Sequence, residues 1–162
     1  LFDAAVMPLV IFFVPEPARG VAEMARVVCP GGQVSAYGWD LLGGRFPYEA
    51  LHAEIRGMGI EVPAPPSPEA SQLDVLQSLW AGAGLEAIET TEITVQRSFA
   101  DFDDYWATVL GAPSVGKIMA AMSPADIERL KGRLRVHLPA GTDGQITYSA
   151  SAHAIKGRVP AG

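Results

Sequence analysis

The opening run Leu1–Val14, LFDAAVMPLVIFFV, constrains the fold more than any other stretch. Near-unbroken apolar residues suit a strand buried on both faces of a parallel sheet. Such a strand belongs in mid-sheet with a neighbour on each side, yet this one comes first. The expectation is therefore that the chain is the C-terminal part of something larger. An apolar edge without charges or bulges is also a template for pairing with another chain.

Composition narrows the field. With 162 residues, 49% hydrophobic and 19% charged, the chain reads as one soluble globular domain over residues 1–159 with a short tail at 160–162. The formal net charge of -6, with 12 basic residues clustered nowhere beyond Arg129–Arg135, argues against a nucleic-acid partner. Cys29, the single cysteine, has no internal partner for a disulfide, reads as a packed side chain and suits a reducing cytoplasm. Leu1–Val14 is too short to span a bilayer, contains Asp3 and Pro8, and lacks the basic flank of a signal peptide.

Punctuation divides the rest. Pro15-Glu16-Pro17 ends the first strand and opens a helix with Val21, Met24, Ala25 and Val28 on one face. Pro30-Gly31-Gly32 is expected to stop that helix and Gln33–Asp40 to form the next strand, giving a parallel βαβ unit. A loop-rich excursion over 41–70 carries a helix from Tyr48 to Met58 and a Pro-rich turn. Ser71-Gln72-Leu73-Asp74 reads as a variant capping box for a helix bearing Leu76 and Trp80, followed by a strand over Leu85–Val95. Helices are expected over Asp101–Leu110, Pro113–Met122 and from Ser123-Pro124 onward, with Ile127, Leu130 and Leu134 as the buried stripe of the last. The closing strand is placed at Gln145–Lys156.

Particular residues, taken in this order, resemble the C-terminal half of a class I S-adenosylmethionine-dependent methyltransferase. Phe2-Asp3-Ala4-Ala5-Val6 looks like the family's fourth strand, Glu23–Val28 like the helix after it, and Pro30-Gly31-Gly32-Gln33-Val34 like the start of its fifth strand. Leu79-Trp80-Ala81-Gly82-Ala83-Gly84-Leu85 resembles the junction before strand six. Phe99–Trp106 resembles the helical insertion, here about residues 99–138, of members similar to ubiquinone and menaquinone C-methyltransferases. The resemblance implies an α/β fold, a partial Rossmann-like sheet in the order 4-5-7-6 with strand seven antiparallel. Strands 1–3 would lie upstream with the glycine-rich cofactor loop, of which this sequence holds no Gly-x-Gly-x-Gly substitute. It further implies S-adenosylmethionine as cofactor, bound weakly or not at all by this chain alone, and a small-molecule methyl acceptor.

Methyl transfer mainly requires alignment of nucleophile and methyl, so no metal and no strong catalytic motif is expected. By resemblance Met7, Pro8 and Leu9, at the carboxyl end of the first strand, would border the cofactor; ordinary strand packing explains them equally well. Trp39 and Asp40 end the second strand toward the same rim, and Phe46, Tyr48 and His52 follow on a segment that in such enzymes covers the substrate. Trp106 is a further candidate for the substrate wall, although its helical spacing, like that of Tyr105, also fits core packing. A lone surface histidine explains His52 as well as a general base does. His137 and His153 lack neighbours at metal-ligand spacing, and Asp101, Asp103 and Asp104 form a favourable first helical turn. A rival reading is a non-catalytic α/β binding or oligomerisation module, a homodimer or higher oligomer built through Leu1–Val14 or paired with a separate N-terminal half.

Overall fold

The computed structural model describes residues 1–161, positions 113 and 114 by backbone alone; the last residue of the tail expected at 160–162 lies outside the described residues. Four strands form one sheet: β1 (Phe2–Pro8), β2 (Val28–Trp39), β3 (Glu86–Phe99) and β4 (Ile146–Arg158), in the spatial order β1-β2-β4-β3. β1 and β2 are parallel, and β4 is antiparallel to β2. The side-chain pairs Thr94–Ser151, Gln96–Ser149 and Ser98–Thr147 advance along one strand as they retreat along the other, so β3 and β4 are antiparallel too. The α/β class and the mixed sheet agree with the sequence reading.

Among the described residues six α-helices accompany the sheet: α1 (Pro17–Val27), α2 (Glu49–Gly57), α3 (Leu73–Gly82), α4 (Phe102–Leu110), α5 (Pro113–Ala121) and α6 (Pro124–His137). Local capping chemistry explains the best-placed starts. Asp101 accepts from the Asp104 N–H and Ser123 from the Asp126 N–H, each filling an orphan donor of the first turn. Pro17 opens α1 without sacrificing a donor that the helix needs.

The chain divides into two compact units. The first comprises Leu1–Phe46, Ala64–Thr94 and the segment from Ala150 onward; the second comprises Pro47–Pro63 and Val95–Ser149. Ile11, Phe12, Val21, Val34, Leu76, Trp80 and Ile155 make the first core. Trp80 is fully buried and donates its indole N–H to the Val34 carbonyl at 3.1 Å. A Cβ at Gly157 would lie 2.9 Å from that indole, so glycine lets β4 pass it. The second core gathers Leu51, Ile55, Phe99, Tyr105, Val109, Val115, Leu130 and Leu134.

Four expectations need correction. The strand expected over Leu1–Val14 is only Phe2–Pro8, followed by a 3-10 turn over Ile11–Phe13. Pro8 has no donor to continue a ladder, and Leu9 turns the chain at a φ of 54° with its N–H on the Tyr37 carbonyl. Ile11 and Phe12 thus reach the core, whereas Phe2 and Val6 are 65% and 59% exposed, so the strand is not covered on both faces in this structure.

Pro30-Gly31-Gly32 does not end α1, which stops at Val27; it lies inside β2, which begins at Val28. The register with β1 jumps from Phe2↔Val28 to Ala4↔Gln33, as an extra loop of strand requires. Gly31 takes a positive φ of 80°, and a Cβ on Gly32 would stand 2.7 Å from the Asp3 carbonyl oxygen, so both glycines are needed there.

Ser71 caps no helix, because its hydroxyl donates to the Pro68 carbonyl within a 3-10 turn and Gln72 stands at the start of α3. The last two strands each outrun their expected ends, β3 to Phe99 and β4 to Arg158. Polar cross-strand pairs carry β3 to Phe99, and pairing with Val34 and Gln33 of β2 carries β4 to Arg158.

Candidate functional site

In the first unit the parallel register sets the ends of β1 and β2 side by side, with Pro8 opposite Tyr37. Met7 and Leu9 are half-buried and Pro8 exposed, so this rim offers an apolar wall without charge. Leu9 holds a left-handed backbone that a leucine adopts only where its surroundings impose it. Open α/β sheets bind ligands outside the carboxyl ends of their parallel strands, which is where Met7–Leu9 and Trp39–Asp40 stand. A methionine chain or an adenine face would fit an apolar wall of this kind, and Asp40, the carboxylate at this rim, is taken by the Gly43 N–H and Arg45.

Trp39 is half-buried at the end of β2, and Asp40 next to it is 4% exposed. Asp40 Oδ1 accepts from the Gly43 N–H at 2.8 Å and Oδ2 from Arg45 Nε at 3.0 Å. Its backbone N–H reaches the Ser151 carbonyl at 2.9 Å, and the Ser151 N–H returns to the Arg45 carbonyl at 3.0 Å. A Cβ at Gly43 would fall 2.0 Å from Asp40 Oδ2, so the loop closes only with glycine there. The loop after β2 is thereby fixed to β4.

Arg45 carries the network onward. Its two terminal nitrogens pair with the Glu92 carboxylate at 2.7 and 2.5 Å, a fork-to-fork contact. Hydrogen bonds to Glu92 and then Asp40 raise the Arg45 pKa, and the same bond from Arg45 holds Glu92 below the usual carboxylate range. His153 is 8% exposed, with Nδ1 2.7 Å from the Ser71 carbonyl. A carbonyl oxygen has no proton to give, so Nδ1 is the donor and Nε2 faces Glu92 Oε2 at 3.7 Å and Asp40 Oδ2 at 3.9 Å. Sequence reasoning missed Arg45, Glu92 and His153 as partners of Asp40. They come from separate parts of the chain, and only the strand pairing gathers them.

The remaining candidates divide between the units. Phe46 lies in the first unit, half-buried. Tyr48, His52 and Trp106, also half-buried, lie in the second. Tyr48 precedes α2, and His52 sits one turn into it with its pKa lowered, chiefly by burial, Glu49 opposing and Arg56 assisting. Trp106 stacks on Phe102 at 6.2 Å between centroids, and the Lys131 ammonium lies 5.4 Å from its ring. Tyr148 accepts the Ala50 N–H with its hydroxyl at 3.3 Å. In the same unit Glu54 of α2, 9% exposed, takes Arg133 Nε and His137 Nδ1, both from α6 and both at 2.6 Å.

Among the described residues no three His, Cys, Asp or Glu side chains gather as a metal ion would need, and no helix is long and apolar enough to cross a membrane.

The architecture has the fold of a methyltransferase-like α/β protein. No family model and no curated protein matches the chain. Among solved structures it is similar to the YcgJ protein of Bacillus subtilis, with a TM-score of 0.53 and 16% identity over 99% of this chain and 65% of that one. It is also similar to a candidate methyltransferase of Bacillus halodurans, with a TM-score of 0.50 and 16% identity over 98% of this chain. A Haemonchus contortus phosphoethanolamine N-methyltransferase solved with S-adenosyl-L-methionine follows at 13% identity over 98% of this chain and 33% of that one, its TM-score of 0.45 too low to bear on the fold. The chain spans 65% and 64% of the lengths of the two Bacillus proteins. At such identities the likeness is one of fold.

Proposed function

We propose that the chain is the substrate-side part of an S-adenosylmethionine-dependent methyltransferase acting on a small molecule, related to the ubiquinone and menaquinone group. The observation that carries the reading is the rim of β1 and β2, where a left-handed Leu9 follows an apolar strand end within a methyltransferase-like fold. The cofactor supplies an electrophilic methyl group. In the first unit Met7, Pro8 and Leu9 are the wall against which it rests, Trp39 and Phe46 serve the acceptor side, and Asp40 shapes the loop beside them. The other candidates, Tyr48, His52 and Trp106, belong to the second unit, where burial lowers the His52 pKa. The lone Cys29 suits a cytoplasmic setting.

In this reading strands 1–3 and the glycine loop belong to chain outside these residues, and the 162 residues alone do not transfer methyl groups. The coding sequence before Leu1 is the test. A strand followed by Gly-x-Gly-x-Gly is expected there, and its absence overturns the reading. Calorimetry with S-adenosylmethionine is expected to give no micromolar binding by the isolated chain.

One observation favours a second reading, an assembly module. Among the described strands β1 pairs only with β2, and Phe2, Val6, Val10 and Phe13 are 65%, 59%, 43% and 59% exposed. Sedimentation is then expected to show a dimer or larger species. A stable monomer at micromolar concentration counts against it.

A further inference from the structure

Residues of β2, β3 and β4 enclose a polar pocket in the first unit, lined by Gln33, Ala87, Glu89, Lys156, Gly157 and Arg158. It offers about 50 Å³ of room. A single water needs about 10–15 Å³ on the same scale, so the space takes a group of a few heavy atoms. Trp39 stands about 20 Å further along β2 than Gln33, so the pocket is no part of the rim at Met7–Leu9 and Trp39–Asp40.

Lys156 and Arg158 flank Gly157 on β4, and their side chains therefore leave one face of the sheet. On the other face glycine lets the strand pass the Trp80 indole. Gln33 of β2 is the register partner of Arg158. The strand loop at Pro30-Gly31-Gly32 aims that arginine. Arg158 Nη1 donates to the Gly31 carbonyl at 2.8 Å, while the Gly31 N–H reaches the Val159 carbonyl at 2.9 Å and the Val159 N–H the Gly32 carbonyl at 3.0 Å. The rest of the guanidinium fork is left to border the pocket. On the β3 side Ala87 holds a φ of 48°, a left-handed conformation that alanine adopts only under constraint.

Charge and shape select the occupant. Two cations against one carboxylate favour an anion. Glu89 Oε2 lies 3.1 Å from Lys156 Nζ, with the two side chains 67% and 50% exposed, and solvent weakens such a pair. A ligand carboxylate would give Lys156 only what Glu89 already gives it. A phosphate group carries more charge and more acceptor oxygens, and so competes for the ammonium while the Arg158 fork and the Gln33 amide take its other oxygens.

We propose that Gln33, Lys156 and Arg158 form a phosphate subsite on this face of the sheet, taking the phosphate group of a small ligand, free or esterified, which displaces Glu89 from Lys156. The subsite does not depend on the methyl-transfer reading.

The test is a titration of the isotope-labelled chain with inorganic phosphate and with methyl phosphate at neutral pH and constant ionic strength, read from the NMR shifts of the Gly31, Ala87 and Gly157 amides. Saturating shifts at millimolar concentration are expected. Shifts with both probes admit an ester, and shifts with inorganic phosphate alone assign the site to the free ion. Arg158→Gln is expected to weaken binding about tenfold or more, the worth of a charged hydrogen bond. Glu89→Gln is expected to tighten it about two- to fivefold, because the competing charge is gone and the side chain keeps its shape. Both residues are exposed, so both variants are expected to fold as the wild type does. No shift with either probe overturns the proposal, and so do equal shifts with chloride at the same ionic strength. Undiminished binding by Arg158→Gln, or a Glu89→Gln affinity no higher than that of the wild type, overturns it as well.

Discussion

Each unit keeps a carboxylate out of solvent and sets an arginine and a histidine beside it, but the two arrangements do different work. In the first, Asp40 accepts from the Gly43 backbone and from Arg45, a partner five residues away, so it shapes its own loop. His153, 10% exposed by side chain, keeps its distance at 3.9 Å. In the second, Glu54 reaches 79 residues along the chain to Arg133 and also holds His137 at 2.6 Å, so it clamps α2 to α6. Its partners are 42% and 61% exposed by side chain. A buried acidic side chain near a candidate site can therefore be wholly occupied by architecture, and the exposure of its partners tells how much depends on it.

The sharpest way to break the comparison is to remove each carboxylate. Asp40→Ala deprives a backbone N–H and Arg45 of their acceptor in a buried place, and a loss of about 3 kcal/mol is expected by chemical denaturation. Glu54→Gln, whose amide oxygen still accepts one bond and whose partners retain water, is expected to cost about 1–2 kcal/mol. A larger loss for Glu54 than for Asp40 would reverse the ranking. The histidines sharpen it further. His153→Leu, which removes the donor from the buried Ser71 carbonyl, is expected to destabilise by about 1–2 kcal/mol, against under about 0.5 kcal/mol for His137→Leu at its exposed site.

The smallest effect is one of slope. Burial holds the His52 pKa below its ordinary 6.5. As pH falls, the unfolded chain therefore takes up that proton before the folded one does. The stability that this group contributes is complete above 6.5 and declines as pH falls toward the folded-state value. His52→Gln is expected to flatten the pH dependence of the melting temperature in that window, and an unchanged slope would mean that burial does not govern His52.

Elements with local causes were legible in the sequence. Ser123 with Asp126 announces α6, Asp101 with Asp104 announces α4, and Pro17 announces α1, because each cap is satisfied within a few residues. The mixed α/β sheet agrees with a pattern borne by residues spread along nearly the whole chain. The end of β1 was misplaced because hydrophobicity alone does not distinguish a strand from a turn that buries Ile11 and Phe12. The bulge at Pro30-Gly31-Gly32 escaped for a related reason, since glycines that end helices also serve strand loops, and only the partner strand decides. At the site, Trp39 and Asp40 could be placed at a strand end, whereas the Arg45–Glu92 fork, 47 residues apart, is visible only once β2, β4 and β3 are side by side.

The indole of Trp80 has a practical consequence. Fully enclosed and bonded to Val34 in the first unit, it sits in a drier place than half-buried Trp39 or Trp106. With three tryptophans in the chain, its emission is expected to the blue of the other two. Trp80 is therefore a built-in optical gauge of the first core, and phenylalanine at positions 39 and 106 would isolate its signal.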